Sequence, residues 1–556
     1  MITITKVGRA ALVPSIFMMM FLSGLPALAA QQEAKPAPLF DDLGDHHHRI
    51  STDEPLAQQY FDQGLTLAYA FNHLEAIRSF EAAAEVDPQC AMAWWGVALA
   101  HGPNINKPMS AEEGRLAYAA LEKAKALAEH ASPREQAYIA ALAKRYEADP
   151  PEDRAHLDRA YAEAMAEVAR AYPDDLDAQT LYAEAAMDTM PWDYWEEGRE
   201  ELKPDARQVQ SALEEVLKRN PDHPGANHLY IHLVEAGPRP WTAEAMADRL
   251  RTLVPGAGHL VHMPAHIYVR IGRYHDAVEV NHDAVAADES YITQCRVQGF
   301  YPLAYYPHNM HFTWYAAILS GEGDTAIKAA REVTEGLHAH DGLHEPEELP
   351  EGPRFDPIIT FTLVRFGQWE QLLDEPTPPA AEVYPAAMDH YGRAMAHLRT
   401  GDLEAAKQHA RRLAAIIETD EAKAAEEGLF GHTQMRIAHQ IVQGELAAAQ
   451  QQHDQAIEHL RQAVALEDGV PYMEPPYWYY PVRQTLGRVL LEAGQPVEAE
   501  QAFRQDLVKH PRNGWSLRGL SDALAAQNKA DASAMVQQLF ETAWQHADVE
   551  IEAATF

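Results

Sequence analysis

The sequence predicts an all-α protein whose helices pair into hairpins and stack as a solenoid. Three observations carry that expectation. Ala, Leu, Glu and Gln, all good helix formers, dominate the 556 residues. Strand-like alternation of apolar and polar residues is scarce. A unit of 34 residues recurs along the chain, the mark of a helical repeat array.

The first clear unit is 57–90, AQQYFDQGLTLAYAFNHLEAIRSFEAAAEVDPQC. Gly64, Ala76, Phe80, Ala83 and Pro88 stand at its positions 8, 20, 24, 27 and 32. That is the tetratricopeptide (TPR) pattern: small residues let the two helices approach, the aromatic fills the next interface, and the proline ends the second helix. Residues 480–513 place Gly487, Gly494, Ala499, Phe503 and Pro511 in the same frame, and 258–291 place Tyr268, Gly272, Tyr274, Ala277 and Ala284. Weaker copies begin near 91, 142, 176, 224, 307, 353, 387, 437 and 514. Stacked copies wind into a right-handed superhelix with a groove lined by the first helix of each pair.

Insertions interrupt the array around 102–135, 189–203 (MPWDYWEEGREELKP) and 290–306. The acidic, Pro-rich stretches 341–354 and 374–385 read as loops. The expected organisation is a signal peptide over 1–30, an extension over 31–56, a first array over 57–340, a linker with an irregular repeat over 341–386, and a second array over 387–545.

Lys6 and Arg9, the apolar run IFMMMFLSGLPALAA, and Ala27 with Ala29 before a cleavage point near Ala29 or Ala30 make the export signal. The expected location is periplasmic or secreted. No later run is long and apolar enough to span a membrane. The net charge of −38 argues against nucleic acid and anionic lipid as partners and does not oppose cation binding. Cys90 and Cys295 are the two cysteines, so no thiolate cage can form, and whether they pair is open. Any metal here is held by nitrogen and oxygen.

The histidines carry the functional signal. In the unit from 224, His228 and His232 take positions 5 and 9. In the unit from 258, His259, His262 and His266 take positions 2, 5 and 9. In the unit from 307, His308 and His311 take positions 2 and 5. These positions share one stripe of the first helix, facing the groove. Seven of nine such slots are histidine, where 29 histidines scattered over 556 residues would fill about half a slot. Seven facing imidazoles cannot all be protonated. Neutral imidazole is a ligand for zinc, copper, iron or nickel, and a pair at i, i+4 chelates one ion. Glu184, Asp188 and Glu235 lie on the same wall as ligands, as groups that orient a ring N–H, or as a general base. Tyr315 can donate a hydrogen bond; Tyr268 belongs to the core. Pro264 removes a backbone hydrogen bond and is expected to kink its helix.

Other candidates have plainer readings. His46–His48 form a loose extension or an arm reaching into the groove. His73 sits at a hairpin turn, where an aromatic ring packs. His338, His340 and His344 lie in an acidic loop that can hold a cation loosely. EPPYWYYPVRQTLG at 474–487 packs a helix on the preceding loop or forms a ligand surface. There is no phosphate loop, no G-x-S-x-G elbow and no H-E-x-x-H.

The blocks AFNHLEAIRSFEAAAEVDPQCAMAWWGVALAHGPNIN, AMDTMPWDYW, HPGANHLYIH, GHLVHMPAHIYVRIGRY, YYPHNMHF and EPPYWYYPVRQTLG resemble a family of exported bacterial TPR proteins, over about 40–525. The resemblance implies the fold and adds weight to the seven histidines; it implies no reaction. The expected function is binding of one or two transition-metal ions, copper or zinc, in the groove, with a metal-dependent oxidoreductase or hydrolase as the enzymatic form. The rivals are a TPR scaffold that holds a peptide or protein without metal, and a metal carrier or store.

Overall fold

Hairpin after hairpin of α-helix runs through the computed structural model, which describes residues 37–295, 300–339, 357–426 and 430–556. The expected signal peptide and the loop 341–354 lie outside them, as do the side chains of His338, His340, His344 and Cys295. No strand occurs among the described residues, only isolated bridges at Asn104–Lys107 and Trp195–Leu202. The fold is an all-α TPR solenoid, and no described helix is long and apolar enough to cross a membrane.

The repeat positions read from the sequence do the packing assigned to them. Phe80, fully buried in the second helix His73–Val86, lies between two glycines. A Cβ on Gly64 would come within 2.7 Å of its ring, and one on Gly96 in the next hairpin within 2.4 Å. Phe503 repeats the arrangement near the other end of the chain, wedged between Gly487 and Gly519 at 2.4 and 2.2 Å. The aromatic wedge fixes the spacing of successive hairpins, because only glycine lets the backbones close on it.

Local signals set the helix boundaries. The hairpin expected near 142 starts at Pro133, because Ser132 and Glu135 cap each other's backbone N–H groups and open the helix there. The hairpin expected near 437 starts at Gly431. Pro264 breaks its helix as expected: Gly258–His262 and Pro264–Ile271 are separate segments joined at Met263. Irregular helices Ile358–Arg365 and Trp369–Asp374 lead into the second array.

The first array curls until its first hairpin meets its later ones. Tyr291 donates to Asn72 Oδ1 at 3.0 Å, across 219 residues. The C-terminal hairpins fold back on earlier ones: Trp515 Nε1 donates to the Ile318 carbonyl at 3.0 Å, and Tyr274 to the Pro511 carbonyl at 2.9 Å. The groove is thereby covered on several sides.

A buried ion cluster holds part of the second array. Glu445 accepts from Arg399 at 2.9 Å and Arg488 at 2.5 Å. Burial alone would raise its carboxyl, but the two guanidinium groups win and hold it at about 2, below the ordinary 4.5. A carboxyl depressed in the folded state stabilises fully above its unfolded value and loses that contribution as pH falls toward the folded one. The stability gap between the native chain and Glu445→Gln in chemical denaturation is therefore expected to narrow between about pH 5 and pH 2, not on the alkaline side. Phe503→Ala is expected to cost about 3–5 kcal/mol by the same measurement.

Candidate metal centre

Three neighbouring first helices bring their imidazoles into one interior. His228 and His232 come from Pro224–Val234, one turn apart. His259 and His262 come from Gly258–His262, and His266 from Pro264–Ile271. His308 comes from Phe300–Ser320. They form two groups whose ligand atoms lie within 4.8 Å of one another: His228, His232 and His259 in one, His262, His266 and His308 in the other. The groups adjoin, with ring centroids of His232 and His266 at 5.8 Å and of His259 and His262 at 6.1 Å.

The ring nitrogens on the far side are already committed, which fixes the tautomers. His228 Nδ1 donates to the Tyr69 carbonyl at 2.7 Å. His232 Nδ1 donates to Glu235 Oε1 at 2.7 Å. His262 Nδ1 donates to Asn281 Oδ1 at 2.6 Å, and the amide of Asn281 is itself turned by donating to the Ala277 carbonyl at 2.7 Å. His266 Nδ1 donates to Glu235 Oε2 and also meets Glu474. Each acceptor faces Nδ1, so Nε2 points inward in all four rings and carries the lone pair in His228, His232 and His262. The Nε2 atoms of His228 and His259 are 3.1 Å apart, and those of His262 and His266 are 2.8 Å apart. His232 Nε2 is buried with no hydrogen-bond partner among the described residues. Imidazoles on one tetrahedral ion at roughly 2.0–2.1 Å stand roughly 3.3 Å apart, so small rotations would open room for a metal.

Burial is the leading influence on the charge of this cluster. It drives His228, His232, His259 and His262 well below the ordinary histidine range, and neighbouring imidazoles push the same way. His266 goes the other way: burial opposes its charge, but Glu235 and Glu474 outweigh it and raise it to about 10. Glu474 is raised to about 8 by burial, and then by Glu235. In the metal-free chain one proton on His266 therefore bridges toward His262 Nε2. His228, His232, His259 and His262 stay neutral, the form that binds metals.

Aromatic rings close the cluster. Phe71 stacks on His259 at 5.6 Å and touches His228 at 4.5 Å. Trp192 sets its edge on His232 at 5.2 Å, and Phe312 covers His266 at 4.6 Å. Phe71 and Trp192 both take left-handed backbone, at φ 55° and 62°, which bulky residues rarely adopt. At Phe71 this is the hairpin-turn position, where Gly272 and Gly494 take the same conformation in their units.

The remaining candidates fall differently. Glu235 orients a ring in each group. His311 joins neither: Phe312, four residues after His308, takes the inward place, and His311 stacks on Trp314 at 5.1 Å. Asp188 is held by Arg145 at 2.6 Å, so it serves an ion pair rather than the cluster. Glu184 is raised to about 8 by burial and then by Asp188, and it stands in no metal-ligating group of the described residues. Tyr315 is buried beside the cavity next to Phe312. Tyr268 is buried, with its hydroxyl on Asp248 at 2.7 Å. His73 is lowered to about 4 by burial and stays apart from the cluster. Cys90 is a free, buried thiol raised to about 11 by burial.

Sequence reasoning missed Glu474 and Asn281. Glu474 lies 208 positions from His266 and no repeat frame relates them. Asn281 stands 19 residues after His262, on the second helix of the same hairpin, which is a spacing a sequence search can use.

The His46–His48 segment is an arm docked on a buried carboxylate. Asp177 accepts from His46 at 3.0 Å, His48 at 2.8 Å and Tyr69 at 2.8 Å, and His223 stands 3.3 Å away. His223 Nδ1 accepts the Ala226 backbone N–H, so its Nε2 carries the proton and faces Asp177 as a donor. The group is thus a clasp rather than a metal cage, and against the effect of burial His46, His223 and His48 hold Asp177 well below the ordinary carboxyl range. Asp177→Asn is expected to loosen the arm, read as faster proteolytic cleavage within 37–50 while the repeat array stays intact.

The tetratricopeptide repeat family model matches residues 61–101. No curated protein matches the chain. Solved structures with a similar course include the human IFIT1 dimer with m7Gppp-AAAA, at 11% identity over 88% of this chain and 91% of that one, TM-score 0.30. Another is the APC/C hetero-tetramer Cut9-Hcn1, at 12% identity over 88% and 74%, TM-score 0.28. Likenesses this weak carry no inference about function. The TPR fold itself suits protein or peptide partners.

Proposed function

We propose that this is an exported metal-binding TPR protein that holds two transition-metal ions side by side, one in each histidine triad. The observation that carries the reading is the inward convergence of the imidazoles, with the opposite nitrogens of His228, His232, His262 and His266 tied to a carbonyl, an amide or Glu235. Orienting partners of this kind accompany metal-ligating histidines, and a core built only for packing has no use for them. The all-nitrogen donor set suits zinc or copper. Three protein ligands per ion leave a position open, as in catalytic rather than structural sites, so a metal-dependent oxidoreductase or hydrolase is the enzymatic form of the proposal. The apolar start of the chain supports export, into a compartment where the protein meets these metals.

Metal analysis by mass spectrometry on the untagged mature protein tests this. About two ions per chain are expected, falling to about one in His262→Ala/His266→Ala. Glu235→Gln is expected to weaken binding roughly 10–100-fold, because it loosens a ligand in each triad. A chain that takes up no zinc or copper yet captures a peptide is a scaffold. Readily exchanged metal without turnover of dioxygen, phenols, esters or peptides marks a carrier or store.

A further inference from the structure

Beside the second triad lies a cavity of about 520 Å³, within the range of small-molecule sites. Two of its lining residues, Phe312 and Glu474, also touch His266. Part of its wall comes from two segments outside the repeat pattern, the 189–203 insertion and the Pro-rich run 470–478, and the rest from repeat helices and the turns at their ends. At one end the Tyr472 ring lies between two cations, with Arg199 at 5.0 Å and Arg270 at 5.2 Å from its centroid.

The charges in this lining do not cancel evenly. Arg270 donates to the carbonyls of Glu235 and Gly237 and faces the Glu235 and Glu474 carboxyls. Lys509 pairs with Asp468 at 2.6 Å, which Arg483 also binds. His510 pairs with Asp506 at 2.7 Å. Glu467 receives the Val482 N–H at 3.2 Å, and burial raises it to about 8, so near neutral pH it is mostly uncharged. Arg199, half-buried, has no carboxylate partner among the described residues. A half-buried guanidinium with no carboxylate beside it is open to a charge-assisted pair with a bound anion.

We propose that this cavity binds small organic carboxylates with a flat, apolar body, the carboxylate on Arg199 and the body along Tyr472 toward Phe312. The proposal rests on the metal-site reading only in making the far end of that body the part presented to His266. It therefore assigns the substrate class of the centre.

The test is calorimetric titration of the full mature chain with benzoate, and with benzamide as its uncharged counterpart, metal-free and then metal-loaded. Benzoate is expected to bind with a Kd on the order of millimolar, as a fragment of this size does. Benzamide is expected to bind roughly tenfold more weakly, the loss of one charge-assisted pair. Arg199→Gln brings benzoate down to the benzamide level, Arg199→Lys restores part of the preference, and neither changes metal content or melting temperature. Equal binding of the two probes, no binding, or benzoate affinity indifferent to Arg199→Gln overturns the proposal. The cavity is built without metal, so a benzoate preference in a chain that takes up no ion overturns the metal reading alone, and a loaded chain without the preference overturns this one alone.

Discussion

The carboxylate of Glu235 is the constraint on which the centre depends. It is fully buried at the end of one first helix and accepts a ring N–H from each histidine group. That single side chain sets the tautomer of His232, holds the protonated ring of His266, and turns both Nε2 atoms inward. Its own backbone carbonyl is held by Arg270. A buried polar nitrogen without a partner costs roughly 1–3 kcal/mol, so a core of inward-facing imidazoles lowers the stability of the empty chain. Leucines on the same helices would pack without that cost. On the proposed reading a bound ion offsets that cost, as any ligand that prefers the folded state does.

The repeats and the interruptions between them divide the labour. Aromatic wedges such as Phe80 and Phe503 between glycines set the spacing of the hairpins, which aligns equivalent slots in adjacent first helices. What closes and shapes the interior comes partly from the repeats and partly from the segments between them. The hairpin turn at Phe71 lays a ring over the first triad. The 189–203 insertion supplies Trp192 over His232 and Arg199 to the neighbouring cavity. The Pro-rich run of the second array brings Glu474 to His266. A groove open to solvent in a plain array becomes an enclosed centre here because the chain curls and folds back on itself.

Much of this was legible in the residues. The 34-residue period gave the hairpins, and of the seven histidines named on one stripe, six lie in the two groups. Pro264 announced its own break. The errors have physical causes. His311 was placed by the repeat frame, but a helix turns 100° per residue, and Phe312 rather than His311 completes the inward face with His308. Asp188 shares the wall on paper, yet Arg145, from another hairpin, claims its charge. Glu474 and the docking of His46 and His48 on Asp177 depend on contacts across about 130 to 210 positions, which no local period encodes.

X-ray absorption on the chain loaded with zinc or copper is the most direct measurement of the central claim. Imidazole nitrogens at roughly 2.0–2.1 Å, with the outer-shell scattering of rigid histidine rings, are the predicted first shell. A shell of oxygen alone, without imidazole scattering, would contradict it and leave the inward-facing rings without the ion they are arranged to hold.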